Sequence, residues 1–302
     1  MRAGQLFEIK GGDRQAVVTE QGATLHRVVW DGTDLLNFAS DDGYAAHGGY
    51  GQLLAPWPGR IRNAVYEFEG ERFELAVTDR KETAAIHGWV RWLTWQPREH
   101  AADRVTLRCR VLAMPGYPFP LEFEQSYAWQ NYGLENVTTV TNLGDRTAPF
   151  GWGVHPYFMA GGQGIDDCLL HVPASKYFGS NADLSPVLPA VPVDGTEFDY
   201  REPRAIGTSK LDVTLTDLAR DGDGRIVVSL RAPDGSISVT CKYDEPINYV
   251  QLFTGDTLGE HQREGVAIEP YTCAPDAFNN GLGLLRLAPG SSLRVRWTIS
   301  AD

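Results

Sequence analysis

Apolar and polar residues alternate with a period of two along most of the chain, which places successive side chains on opposite faces of a strand and predicts sheet with one buried face. Tyr66, Phe68, Phe73 and Leu75 alternate with charged residues about Glu69-Gly70, predicting a hairpin. Val105, Leu107, Cys109 and Val111 share one strand face, and Leu121, Phe123, Gln125 and Tyr127 share a face of the next strand, beyond a turn region holding Pro115-Gly116, Pro118 and Pro120. A third strand follows over residues 134–142. Residues 226–230 and 237–243 flank the turn sequence Pro233-Asp234-Gly235, and a terminal strand turns Leu293, Val295, Trp297 and Ile299 inward. Residues 180–207, rich in proline and acidic side chains, read as a long surface loop over the sheet. No long segment has helical periodicity. Many short strands punctuated by Gly, Asp and Pro predict an all-β protein built as a large antiparallel sandwich or barrel. No linker, internal repeat or low-complexity tract interrupts the pattern, so residues 1–302 read as one domain.

Composition narrows the partners. A chain of 302 residues with 42% hydrophobic content can bury a sizeable core. Its formal net charge of -12 repels phosphate backbones, which makes nucleic acid and anionic membrane surfaces poor partners and a neutral small molecule a better one. No apolar run approaches the roughly 20 residues that span a bilayer. Met1-Arg2-Ala3-Gly4-Gln5 leads into polar sequence without a signal-peptide core, so a soluble, cytoplasmic protein is expected. Cys109, Cys168, Cys241 and Cys273 lie far apart with no C-x-x-C pair, and are expected to be reduced and mostly buried.

Several stretches could carry chemistry. Phe150-Gly151-Trp152-Gly153-Val154-His155-Pro156-Tyr157-Phe158 sets one histidine among glycines, a proline and four aromatic rings. Rings of this kind can cover the apolar face of a sugar while an imidazole reaches its oxygens, although the same pattern suits a packed core histidine. Glu269 follows the apolar run Val266-Ala267-Ile268. Facing inward, its carboxyl would be desolvated and made a stronger base; facing outward, it would be an edge residue in water. Pro58-Gly59-Arg60-Ile61-Arg62-Asn63 and Ile86-His87-Gly88-Trp89-Val90-Arg91-Trp92 bracket the first hairpin, and alone each is compatible with ordinary surface charge or packing. Asp221-Gly222-Asp223-Gly224 resembles the start of a calcium loop but lacks the later ligands and flanking helices, and reads as a hairpin turn.

In their order along the chain, these stretches resemble the aldose 1-epimerase (galactose mutarotase) family. The resemblance rests on Arg60-Ile61, on His87-Gly88 with Trp92, and on His155-Pro156-Tyr157-Phe158. It is completed by Gln251-Leu252-Phe253-Thr254-Gly255 and by Glu269 with Pro275-Asp276-Ala277-Phe278-Asn279, so it covers nearly the whole chain. It implies a large antiparallel supersandwich that interconverts the α and β anomers of a free aldose without cofactor or metal, as a monomer or homodimer. It also implies roles: Glu269 as base, His155 as acid, His87 hydrogen-bonded near the ring oxygen, and Arg60, Asp212 and Gln251 holding hydroxyls. Asp217 could align in place of Asp212. Gly59 stands where the family usually has asparagine, and Trp89 replaces the second glycine of His-Gly-Gly. Both changes are expected to touch the sugar pocket and alter specificity. Arg62 and Arg91 could meet an acidic sugar or face water. A sugar-binding protein without turnover, and a glycoside hydrolase using Glu269 with Asp212, are the alternative functions.

Overall fold

The computed structural model describes residues 3–37, 48–161 and 164–302; Met1 and Arg2 of the amino-terminal stretch lie outside them. Two nine-stranded sheets dominate. The first runs in the order Gln96–His100, Arg104–Val111, Leu121–Gln130, Gly133–Asn142, Ser292–Ala301, Ser238–Tyr243, Ile226–Arg231, Leu169–His171 and Arg204–Ala205. Its pairings are antiparallel. The second, also antiparallel, runs from Pro186–Pro192 through Ala174–Ser180, Asp212–Leu218, Tyr249–Phe253, Val266–Tyr271 and Gly153–Val154 to Leu53–Leu54. Tyr157–Phe158 also pairs with Val266–Tyr271 and carries Leu36–Asn37 on its other side.

Alternation decides which residues enter the core. Leu107, Phe123, Val140 and Val295 of the first sheet share one hydrophobic cluster with Val213, Leu215, Val250, Leu252 and Ile268 of the second. The alternate positions of the second sheet, Asp212, Thr214, Gln251, Glu269 and Tyr271, face the other way and line a cavity. The indole of Trp152 ties the layers together by donating to Thr138 Oγ1 at 2.8 Å. The predicted hairpin joins Val65–Phe68 to Glu71–Glu74, with positive φ at both Glu69 and Gly70 as a two-residue turn requires. The four cysteines are free and buried. No helix among the described residues is long and apolar enough to cross a membrane.

Two expectations about secondary structure need correction. Residues 180–207 are not one loop: Pro186–Pro192 forms the outermost strand of the second sheet, on Ala174–Ser180, and Arg204–Ala205 forms the last strand of the first. Proline lacks an N–H for the sheet ladder and is tolerated at an edge, so a proline-rich edge strand reads from sequence as a loop. Asp221 to Gly224 does form a turn, with the Asp221 carboxylate accepting from the amides of Asp223 and Arg225 at 2.9 Å. It closes no hairpin, because Asp212–Leu218 and Ile226–Arg231 belong to different sheets, and the turn carries the chain between them.

Candidate active site

The exposed side of the second sheet floors an open cavity of ≈ 600 Å³, walled by Tyr157, Phe178 and Phe253 among others. Strand register builds the floor. Thr214 pairs with Gln251 and Gln251 with Glu269, so three polar side chains lie in a row across three strands. The Thr214 hydroxyl donates to Gln251 Oε1, and Gln251 Nε2 donates to Asp212 Oδ1 at 2.8 Å, which fixes the amide orientation. Asp212 is open to solvent at the cavity wall yet crowded by protein atoms. That burial pushes its carboxyl up, opposed by the Arg60 charge and the Gln251 hydrogen bond. Asp217, the other aspartate compatible with the sequence pattern, is exposed and ion-paired with Lys176 at 2.8 Å, outside the cavity lining.

Glu269 faces inward and is almost completely buried. Burial drives its carboxyl well above the ordinary range, the Tyr271 hydrogen bond opposes this, Asp212 adds to it and Arg60 opposes it. Tyr271 lies two residues on, hence on the same strand face, and its hydroxyl donates to Glu269 Oε2 at 2.5 Å. The other carboxylate oxygen, Oε1, lies 3.4 Å from His155 Nε2.

His155 is held by its backbone, donating its N–H to the Gln52 carbonyl at 3.0 Å and accepting from the Gly51 amide at 2.8 Å. Its ring stacks on Tyr157, with centroids 4.9 Å apart, and a Cβ added at Gly49 would meet the imidazole at 3.0 Å, so glycine there lets the loop close on the ring. Burial lowers its proton affinity to a pKa of about 3, a backbone hydrogen bond opposes this, and the Arg91 charge adds to the fall.

His87 stands 5.6 Å from His155, ring to ring. The pairing of Arg60–Ile61 with Ala85–Ile86 brings it beside Gly59, whose carbonyl accepts from the His87 amide at 2.9 Å and whose own amide donates to His87 Nδ1 at 3.1 Å. An accepting Nδ1 leaves the neutral ring's proton on Nε2. Burial first, then the charges of Arg91, His155 and Arg60, hold its proton affinity well below normal. Arg60 is oriented by Asp79 Oδ2 at 2.9 Å from Nε. All six residues singled out by sequence therefore line one cavity.

Of the two departures from the family pattern, Gly59 lines the cavity and Trp89 does not. The Trp89 indole packs in the core on Trp57 and Tyr117, so it fills no sugar space. Arg62 lies outside the lining and approaches Asp183 at 3.9 Å, whereas Arg91 lines the cavity. Tyr271, Thr214 and Asp79 also line the cavity and were not foreseen from the sequence. The first two could have been found by stepping two residues along strands already suspected, while Asp79 lies in a segment with no periodic signal. Among the described residues no cluster of His, Cys, Asp and Glu could hold a metal ion.

Comparison with known proteins places this arrangement in context. The family profile for aldose 1-epimerase matches residues 5–300. The chain is 30% identical to the uncharacterized protein YihR of Escherichia coli K12 over 98% of its own length and 93% of the relative's. It is 28% identical to Homo sapiens galactose mutarotase, a match spanning 60% of this chain and 54% of that one. The fold superposes on a GalM/aldose epimerase homologue from C. elegans with a TM-score of 0.88 at 18% identity, covering 99% of both chains. It also matches galactose 1-epimerase from Lactobacillus acidophilus, with a TM-score of 0.84 at 21% identity over 98% and 93% of the two chains. With a profile match along almost its entire length, the chain belongs to the aldose 1-epimerase family.

Proposed function

We propose that residues 1–302 act as one domain that interconverts the α and β anomers of a free aldose by acid/base ring opening and reclosure. The observation that carries this reading is the 3.4 Å approach of His155 Nε2 to Glu269 Oε1 in the cavity. Glu269 takes the proton of the anomeric hydroxyl while His155 gives a proton to the ring oxygen. The C1–O5 bond breaks, leaving an aldehyde at C1 and a hydroxyl at C5. Rotation about C1–C2 presents the other face of the aldehyde. The C5 hydroxyl then attacks it, His155 takes its proton back, and Glu269 returns its own to the new anomeric oxygen.

The proton inventory supports the pairing. Burial raises the carboxyl and lowers the imidazole, so a proton shared by the pair favours Glu269 over His155. Moving that proton to His155 creates the carboxylate base and imidazolium acid together, with no change in net charge, and the two sites titrate as a unit. Tyr271 and Arg60 favour the ionised carboxylate in that redistribution. Arg60, Asp212 and Gln251 present donors and acceptors to sugar hydroxyls, and His87 Nε2–H is a donor near the ring oxygen. Aromatic side chains Tyr157, Phe178 and Phe253 offer apolar surface to the sugar ring.

The test is anomer exchange, followed by polarimetry or NMR on freshly dissolved sugars. His155→Asn is expected to slow exchange by about 10²–10⁴, the usual contribution of a positioned proton-transfer group. Parent-like exchange in that variant across every sugar turned over would remove His155 from the mechanism.

A further inference from the structure

Among the described residues three cations line the cavity, and their partners differ. Arg60 is ion-paired with Asp79 at 2.9 Å and Lys81 with Glu82 at 3.2 Å. Arg91 has no carboxylate within 4.0 Å among the described residues. Its Nη1 donates to Gln52 Oε1 at 3.3 Å and its Nη2 to the Ile86 carbonyl at 3.2 Å, both neutral acceptors, and its Nε is buried without a partner. The face of Trp92 lies 4.2 Å from the guanidinium. A half-buried guanidinium with only neutral partners is costly to hold. The chain carries 39 acidic residues against 27 basic ones, so carboxylates are plentiful, and among the described residues none pairs with this cation.

Position gives the Arg91 charge a meaning. The carbonyl that holds Arg91 belongs to Ile86, next to His87, whose ring is 5.6 Å from His155. Arg91 therefore stands at the histidine end of the cavity. In an aldohexopyranose, carbon 5 bears both the ring oxygen and carbon 6. A sugar whose ring oxygen meets His155 thus projects its carbon 6 substituent into the same neighbourhood. We propose that Arg91 receives an anionic group on carbon 6 of the aldose, a carboxylate, phosphate or sulfonate, so that the preferred substrate is an acidic sugar rather than a neutral one. This rests on the acid/base reading given above. The planar guanidinium fork matches oxyanions of this kind and forms charge-assisted hydrogen bonds with them. An anion seated there also offsets the Arg91 charge, which acts after burial to hold down the proton affinity of His155. Binding the acidic group and readying the acid are then one event.

The experiment measures kcat/KM for anomer exchange by NMR with D-glucose, D-glucuronate, D-glucose 6-phosphate and 6-deoxy-6-sulfo-D-glucose. At least one acidic sugar should exceed glucose by roughly 10- to 150-fold, the worth of a hydrogen bond to a charged group. Which one leads identifies the oxyanion. Arg91→Gln should collapse that ratio by 10-fold or more, Arg91→Lys should retain part of it, and Arg62→Gln, outside the cavity lining, should leave it unchanged. Glucose exchanging as fast as all three acidic sugars overturns the proposal, as does an Arg91→Gln variant with the parent's ratio. If no sugar is exchanged, the isomerase reading fails instead. Calorimetry with the same four sugars then decides the anion site: tighter binding of an acidic sugar that is lost in Arg91→Gln supports it, and equal affinities refute it.

Discussion

Tyr271→Phe isolates the contact that tunes the base. The substitution removes one oxygen whose only hydrogen bond among the described residues is to Glu269 Oε2 at 2.5 Å, and it leaves the buried ring in place. A hydrogen bond to a charged acceptor is worth about 1.5–3 kcal/mol, and 1.36 kcal/mol is a factor of ten. The form with carboxylate and imidazolium therefore becomes roughly 10- to 150-fold less populated relative to the neutral pair. Two readouts follow. On the plateau of the pH–rate profile kcat falls by up to that factor, and the alkaline limb, where the pair loses its one proton, moves to higher pH because Glu269 holds that proton more tightly. NMR exchange measured across pH for parent and variant reads both. A Tyr271→Phe profile superimposed on the parent's would refute the claim that this hydroxyl acts on the base.

Thr214→Val removes the hydroxyl that donates to Gln251 Oε1, and freeing that amide is expected to raise KM about 2- to 13-fold, from 0.5–1.5 kcal/mol, with little change in kcat. Saturation curves for exchange check it. Stability should depend on pH in two opposed ways. His155, with a folded pKa of about 3, contributes stability that is complete above its unfolded pKa near 6.5 and is lost as pH falls towards 3. Glu269, whose folded pKa is raised, contributes stability that is complete below its unfolded value near 4.5 and is lost as pH rises. Thermal melts from pH 4 to 8 should show Glu269→Gln more stable than the parent at neutral pH and His155→Asn less steep between pH 6.5 and 4.

How much of this was legible from sequence follows from which signals are local. Alternation marks the strands at 104–111, whose inner face is wholly apolar, and at 121–130, where only Gln125 interrupts it; in 133–142 the inner face mixes Leu134 and Val140 with Asn136, Thr138 and Asn142. Pro186–Pro192 escaped because proline signals loop, and only its place at a sheet edge makes it a strand. The Asp221 turn was recognisable from its own residues, but whether it closes a hairpin or crosses between sheets depends on partners far along the chain. Site residues were visible where they lay in ordered motifs. Tyr271 and Thr214 were hidden because their importance lies in hydrogen bonds to neighbours, and Trp89 was misplaced because the side of the backbone it occupies is set by the positive φ of His87 and Gly88. At Gly88 that turn is tight enough for an added Cβ to meet the Ala55 carbonyl at 1.9 Å.

The central claim is that Glu269 is the base of a sugar-isomerising pair. The direct measurement is the rate of anomer exchange in purified parent and Glu269→Gln, on whichever sugar the parent exchanges fastest. The amide can still accept from Tyr271, so the cavity keeps its shape while the base is lost. Parent acceleration with a fall of about 10²–10⁴ in the variant is expected. Equal rates in the two proteins would contradict the account.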